Sequence, residues 1–173
     1  YAAHMLSQSL RSQGRAEEAD RIIDGLLRPG VLTREQIEAV AGPLAERGTY
    51  RAFHMVSTRW ADNDQYGHIN NAKFYEFVDS AVNAHLLIAN ALTESIGLVV
   101  DSGCRYTSSL KFPDVIEVGI KVDAIGTSSV TYGFAVFKRS VDVPAAIGHF
   151  VHVYVDAETR RPNHTLLHGA QYV

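Results

Sequence analysis

Hydrophobic residues recur along this chain with two different periods, and the change of period divides it. Across residues 6–47 the spacing is helical. Leu10, Ala19, Ile22, Ile23, Leu26 and Leu27 supply a first stripe, which stops at the breaker Arg28-Pro29-Gly30. Ile37, Val40, Ala41 and Leu44 supply a second. Thr33, with Gln36 three residues on, has the spacing of a capping box, and Pro43 and Gly48 end or weaken the helix. Residues 1–48 are therefore expected to form a helical extension, packed on the main domain or on a partner subunit, with no catalytic constellation of its own.

Tyr50 to Trp60 is rich in aromatic and branched residues and predicts a strand. Its apolar positions do not alternate cleanly, which predicts cover on both faces. Helical spacing returns from Asn71 to about Leu92. Phe74, Phe77, Val78, Ala81, Ala84, Ile88 and Leu92 share one broad face, with Lys73, Glu76, Ser80 and Asn83 on the other. Asn70 is placed to cap this helix, because its side-chain oxygen can take a free backbone N–H.

Extended structure follows. Ile96 to Thr107 is one run, and Ile116, Val118, Ile120 and Val122 alternate with Glu117, Gly119, Lys121 and Asp123. Ser129 to Arg139 sets Val130, Tyr132, Phe134 and Val136 on one side, and Ala145 to Asp156 carries Ile147, Val151, Val153 and Val155. Gly126-Thr127-Ser128, Asp142-Val143-Pro144 and the charged stretch 156–163 are turns. A strand, a long helix and four strands with tight connections predict an α+β domain over residues 49–173. Its mostly antiparallel sheet would pack its apolar face on the helix.

Composition narrows the function classes. With 173 residues, 46% of them hydrophobic, the chain can bury a proper core. A net charge of −3 argues against a nucleic-acid partner. The single cysteine, Cys104, excludes an internal disulfide and a Cys-rich zinc site, and fits a cytoplasmic location. The most apolar window, Leu86 to Val100, is interrupted by Asn90, Thr93, Glu94 and Ser95, so no membrane span is expected. No signal peptide is expected either; His4-Met5 reads as an expression-tag junction, and residues 1–4 are set aside. The eight histidines lack a metal-ligand spacing. His149 and His152, three apart in a strand, are expected on opposite faces.

The densest candidate chemistry lies between the first strand, expected to end at Trp60, and the central helix. Asp62-Asn63-Asp64-Gln65-Tyr66-Gly67-His68 is a polar turn set against a helix N-terminus, which carries unpaired N–H donors and partial positive charge. An Asp64 carboxylate there can face a carbonyl carbon whose oxygen rests on those donors. That is a base or nucleophile plus an oxyanion site. Asp and Asn are also ordinary turn formers, so on local chemistry both readings stand.

The run Asp62-x-Asp64-x-x-Gly67-His68-Ile69-Asn70-Asn71, followed by Phe74-Tyr75-Glu76, resembles the signature of hotdog-fold acyl-CoA thioesterases of the 4-hydroxybenzoyl-CoA thioesterase type. It is also similar to the HVNN turn of acyl-carrier-protein thioesterases. The likeness continues through Ser109 to Asp114, Gly126 to Val130 and Val153 to Asp156, spanning about residues 50–165. It implies a hotdog fold, a long central helix wrapped by a curved antiparallel sheet. It implies a homodimer or homotetramer with sheets joined edge to edge, and hydrolysis of an acyl-CoA or acyl-carrier-protein thioester without a cofactor. Asp64 matches the catalytic aspartate and the Asn71 N–H the donor that polarises the carbonyl. Gly67 would let the acyl group approach the backbone. His68 stands where the carrier-protein branch has a histidine, although Tyr66 replaces that branch's asparagine. Tyr66, Asn70, Phe74 and Ser108 are expected at the substrate, and Ser102, Thr107 or Ser108 can reach a neighbouring subunit's site. Arg105, Lys111, Arg139, Arg160 and Arg161 are candidates for the coenzyme phosphates. A second hotdog branch places its acid on the helix, where counting lands on Asp79. A hotdog dehydratase or hydratase and a non-catalytic acyl-CoA binding module are the alternatives.

Overall fold

The computed structural model describes residues 46–89, 91 and 95–162, together with residues 14, 15, 17, 35, 38 and 44. The two helices expected within 6–47 lie outside the described residues, apart from those isolated positions. The elements are β1 (Ala52–Ser57), α1 (Asn71–Ile88), β2 (Ser95–Tyr106), β3 (Val115–Ile125), β4 (Ser129–Lys138) and β5 (Pro144–Asp156). Short 3-10 turns, Arg47–Thr49 and Trp60–Asp62, flank β1. All strand pairs are antiparallel, in the order β1-β3-β4-β5-β2. This five-stranded curved sheet with one helix on it is the hotdog fold.

The core lies where α1 meets the sheet. Phe74, Phe77, Val78, Ala81, Val82 and Leu86 of the helix are buried against Ile116, Val118 and Ile120 of β3 and Val130, Tyr132, Phe134 and Val136 of β4. The alternation read in β3 and β4 is therefore the inward face of the sheet. On β5 the inward residues include Phe150 and His152, which oppose Tyr132 and Val130 across the ladder, and Tyr154, whose N–H donates to the Ser128 carbonyl at 2.8 Å; Ile147, Val151 and Val153 are only partly buried.

Other expectations need correction. The first strand ends at Ser57, not Trp60; Trp60 opens a 3-10 turn and is 77% exposed. Nor is β1 covered on both faces. Its burial alternates strictly, and on the face away from the helix Phe53 packs on the Tyr50 and Phe137 rings while Met55 is 65% exposed. The helix stops at Ile88, and that residue is exposed; Leu86 is the last buried side chain of the helix.

The segment before β1 packs on the face away from the helix. Leu44 is buried beside Val143 and Ile147, and the Arg47 guanidinium lies 4.5 Å from the Phe53 ring centre and 4.9 Å from that of Phe137.

Candidate active site

The polar turn is built in two layers. Underneath is Asp62, whose side chain is wholly buried. Its Oδ2 accepts from the Arg59 N–H at 2.7 Å and its Oδ1 from the Arg59 guanidinium at 3.1 Å. Burial alone would raise the pKa of this carboxyl. The Arg59 backbone and side-chain bonds and the charges of Arg59 and Lys73 outweigh it and hold the pKa below the usual value. Asp62 also offers its carbonyl to the Asn70 N–H at 2.9 Å, fastening the start of the helix to the turn. Asp62 thus braces the turn against the helix start. Glu76 pairs with Lys73 at 2.8 Å on the helix surface.

Above it, Asn63 and Ile69 bridge, the Asp64 N–H donates to the His68 carbonyl at 2.7 Å, and the Gly67 N–H donates to the Asp64 carbonyl at 3.1 Å. Gly67 sits at φ +79°, a left-handed conformation that glycine adopts without steric cost. The half-buried Asp64 closes the loop on itself. Its Oδ1 accepts from the Tyr66 N–H at 2.8 Å and the His68 N–H at 3.2 Å. Its Oδ2 has no protein partner among the described residues.

The helix start stands beside this loop. The Asn70 Oδ1 accepts from the Ala72 N–H at 3.0 Å, the cap read in the sequence. The Asn71 N–H, in contrast, has no acceptor among the described residues. The loop after β2 runs alongside, with the Ile69 N–H donating to the Leu110 carbonyl at 2.7 Å and the Phe112 N–H to Asn63 Oδ1 at 3.1 Å. Asp64, Tyr66, Gly67, His68, Asn70 and Asn71 are therefore gathered in one compact feature. Tyr66 and His68 are exposed on its rim. Ser108 is half-buried two residues before Leu110, anchored by its N–H to the Ala145 carbonyl at 3.2 Å. Phe74 turns inward; it is 3% exposed, with its ring 5.1 Å from that of Tyr106.

Three features escaped the sequence reading. Tyr106 donates its hydroxyl to the Asn71 carbonyl at 3.0 Å, and its place at the end of a strand, opposite the helix start, gave no local signal. Exposed Trp60 packs edge-on against Phe112, centres 6.1 Å apart, beside the turn. His152 is buried among aromatic rings, with the charge of Asp79 acting on it, whereas His149 on the opposite face bonds Asp101 at 2.8 Å. The opposite orientations of these two histidines follow the strand's alternation, as expected. Among the described residues, no group of three or more His, Cys, Asp or Glu side chains is placed to hold a metal, and no helix is long and apolar enough to cross a membrane.

A family model described as the Thioesterase-like superfamily matches residues 58–165, which hold the turn, α1 and strands β2 to β5. The chain belongs to that superfamily. Among solved structures, the PA5185 protein of Pseudomonas aeruginosa is 41% identical with a TM-score of 0.71, covering 75% of this chain and 96% of its own. The XC229 protein of Xanthomonas campestris, a candidate acyl-CoA thioesterase, is 27% identical with a TM-score of 0.58, covering 66% and 98%. PA2801 of Pseudomonas aeruginosa, a candidate thioesterase, shares the fold at 21% identity and a TM-score of 0.61, covering 65% and 90%.

Proposed function

We propose that this protein hydrolyses an acyl-CoA thioester at the 62–71 turn, with Asp64 as nucleophile or general base and the Asn71 N–H as oxyanion donor. One observation carries the reading. Two turn N–H groups engage Asp64 Oδ1 and leave Oδ2 unengaged, beside a helix whose first N–H is unclaimed. A carboxylate fixed in this way loses little freedom on meeting a substrate. As a base it takes a proton from water as the oxygen attacks the carbonyl carbon. The oxyanion then collapses, the carbon–sulfur bond breaks, and the proton returns to the departing thiolate. As a nucleophile it attacks the carbonyl carbon, the carbon–sulfur bond breaks to release the thiolate, and water opens the resulting mixed anhydride to the free acid and the regenerated Asp64 carboxylate, its proton going to the thiolate. A thioester is already activated, so no cofactor is required by either route. Gly67 leaves room at the loop, and Tyr66, His68, Asn70, Phe74 and Ser108 are the residues we assign to its surroundings.

The acting unit is proposed to be a homodimer or homotetramer in the cytoplasm. The resemblance implies edge-to-edge sheets. β2 is a terminal strand that exposes Leu98, Val99 and Val100, the kind of edge that otherwise invites aggregation. Such a pairing would bring the Ser108 region of one subunit toward its partner.

The bonds to Asp64 Oδ1 are also those of a turn with no catalytic duty, which favours a binding module as the second reading. A panel of CoA thioesters from short aliphatic to aromatic, followed by thiol release, separates the two. Turnover of a subset supports the enzyme. Tight binding of CoA thioethers with every thioester left intact supports the module.

A further inference from the structure

Aromatic rings stand out into solvent on the loops around the turn. Trp60, the only tryptophan of the chain, is 77% exposed and Tyr66 is 68% exposed. Phe112 is exposed beside Trp60, ring centres 6.1 Å apart. The three rings come from three segments: the 3-10 turn after β1, the loop that Asp64 closes, and the connection from β2 to β3. Those segments are tied together. The Phe112 N–H donates to Asn63 Oδ1 at 3.1 Å, Asn63 bridges Ile69, and the Ile69 N–H donates to the Leu110 carbonyl at 2.7 Å. Single exposed rings are ordinary on a protein surface, whereas a group of them held in place marks a surface that meets something.

The charges around these rings are sorted by depth. Two acids lie underneath, with side chains 0% exposed at Asp62 and 11% exposed at Asp114. The cations that pair with them, Arg59 and Lys138, stay 69% and 49% exposed. Asp114 also accepts from the Lys111 N–H at 3.0 Å, which fixes the backbone next to Phe112. Lys111 itself is exposed, and its ammonium has no acidic partner among the described residues. The acids that do face outward are already engaged. Glu76 is held by Lys73 at 2.8 Å and stands 4.0 Å from Arg59, and half-buried Asp64 takes two turn N–H groups. The whole chain carries −3, so outward cations gathered beside exposed rings run against its average.

We propose that this patch seats the protein on an anionic lipid surface, with Trp60, Tyr66 and Phe112 at headgroup level and Arg59, Lys111 and Lys138 against the lipid phosphates. Indole and phenol rings are apolar bodies with a polar edge, and they settle at the boundary between headgroups and hydrocarbon. Cations beside them are drawn to a negative leaflet. The loops are bonded to one another before contact, so little freedom is lost on binding. A stable protein interface takes about 800 Å² from each partner around an apolar centre. Rings on separate loop tips offer points of insertion instead, which a fluid surface accepts. The inference stands apart from the thioesterase reading, because it concerns where the molecule rests and is measured without turnover.

Trp60 reports on its own surroundings, since no other indole is present. The full chain is titrated with vesicles of phosphatidylcholine and with vesicles of phosphatidylcholine and phosphatidylglycerol in equal parts. Trp60 emission is expected to be open to acrylamide in buffer. With the anionic vesicles it should shift to the blue, lose that access and be quenched by brominated acyl chains. Binding should be at least about tenfold tighter to anionic than to neutral vesicles, and the difference should vanish in high salt. Lys111→Glu should weaken binding by about fivefold or more. Trp60→Ser, followed by co-sedimentation with vesicles, should weaken it by about tenfold. Absence of vesicle binding, or binding that neither variant changes, overturns the proposal. So does a Trp60 already shielded in buffer and uncovered on dilution, which would give the patch to a second copy of the chain. Shielding by an acidic acyl carrier protein, and not by vesicles, overturns it as well. Lipid binding by a protein that cleaves no thioester upholds this inference and removes only the enzymatic reading.

Discussion

The hydroxyl of Tyr106 donates to the backbone carbonyl of Asn71 across 3.0 Å, so the end of β2 holds the first turn of the central helix. Burial, with Cys104 and Tyr75 nearby, raises this phenol well above its usual pKa, and it remains a neutral donor at working pH. Tyr106→Phe keeps the ring packing against Phe74 and removes only the bond. We expect stability to fall by about 0.5–1.5 kcal/mol, the usual net worth of such a bond, as read by urea unfolding. Turnover should fall by less than about tenfold, because the Asn71 N–H itself is untouched. Full stability and full turnover together would show that the tie is idle.

Asp62 is the second anchor. Asp62→Ala leaves the Arg59 N–H without its acceptor in a buried place, and we expect a loss of about 3 kcal/mol or more from two bonds to a charged group. The pH dependence has a definite sign. The folded pKa lies below the ordinary 3.8, so the contribution is complete above that value. It is lost as the pH falls through the lower folded pKa. Unfolding curves between pH 5 and the acid limit, compared with those of Asp62→Asn, should show an acid sensitivity that the variant lacks.

A different window belongs to the histidines. His54 on β1 and His85 on α1 meet edge-on, ring centres 5.7 Å apart, each with a buried Nε2 that has no partner. Burial lowers both pKa values from 6.5, and the neighbouring His54 lowers that of His85 further. The unfolded chain therefore takes up protons first, and stability declines as the pH falls below 6.5 until the folded groups also titrate. Replacing both residues by phenylalanine should flatten the pH 7 to 5 segment of the stability profile. A slope as steep as the native one would place its origin elsewhere.

Much of this architecture is legible in the sequence because local pattern and tertiary position agree there. Asn70 caps the helix it precedes, and Ile116, Val118 and Ile120 alternate in the strand they occupy. The failures share a cause. The first strand read as covered on both faces, yet the side that carries Phe53 and Met55 stands partly open, which depends on what packs across the sheet and not on composition. Ile88 keeps helical spacing beyond Leu86, the last buried side chain of the helix, and is exposed. In the site, the order Asp-x-Asp marks the turn but does not tell which acid is buried. That is decided by Arg59 folding over Asp62 and by the Asp64 carboxylate turning to its own loop. The burial of His152 was invisible because its neighbours, Tyr132 and Tyr154, come from β4 and from two residues along β5.

Two glycines should respond differently to alanine. At Gly148 a Cβ would lie 2.0 Å from the Gly103 carbonyl oxygen and 2.5 Å from the Phe134 ring, so β2 and β5 must part or the core must shift. We expect Gly148→Ala to cost about 3 kcal/mol or to prevent folding, since overpacking against backbone has no cheap relief. At Gly67 nothing lies within 4 Å, but φ is +79°. Gly67→Ala should cost about 1 kcal/mol from backbone strain alone. Thermal unfolding of the two variants side by side reads the difference; equal small losses would contradict the close approach at Gly148.

The most direct measurement is single-turnover hydrolysis by Asp64→Asn, with binding of a CoA thioether measured on the same protein. Asparagine keeps an oxygen to accept the Tyr66 and His68 N–H bonds, so the loop persists while the charge and basicity vanish. The account predicts a loss of at least about a hundredfold in the chemical step with analogue affinity retained. Native turnover in that variant would contradict the assignment of Asp64 as the reacting acid.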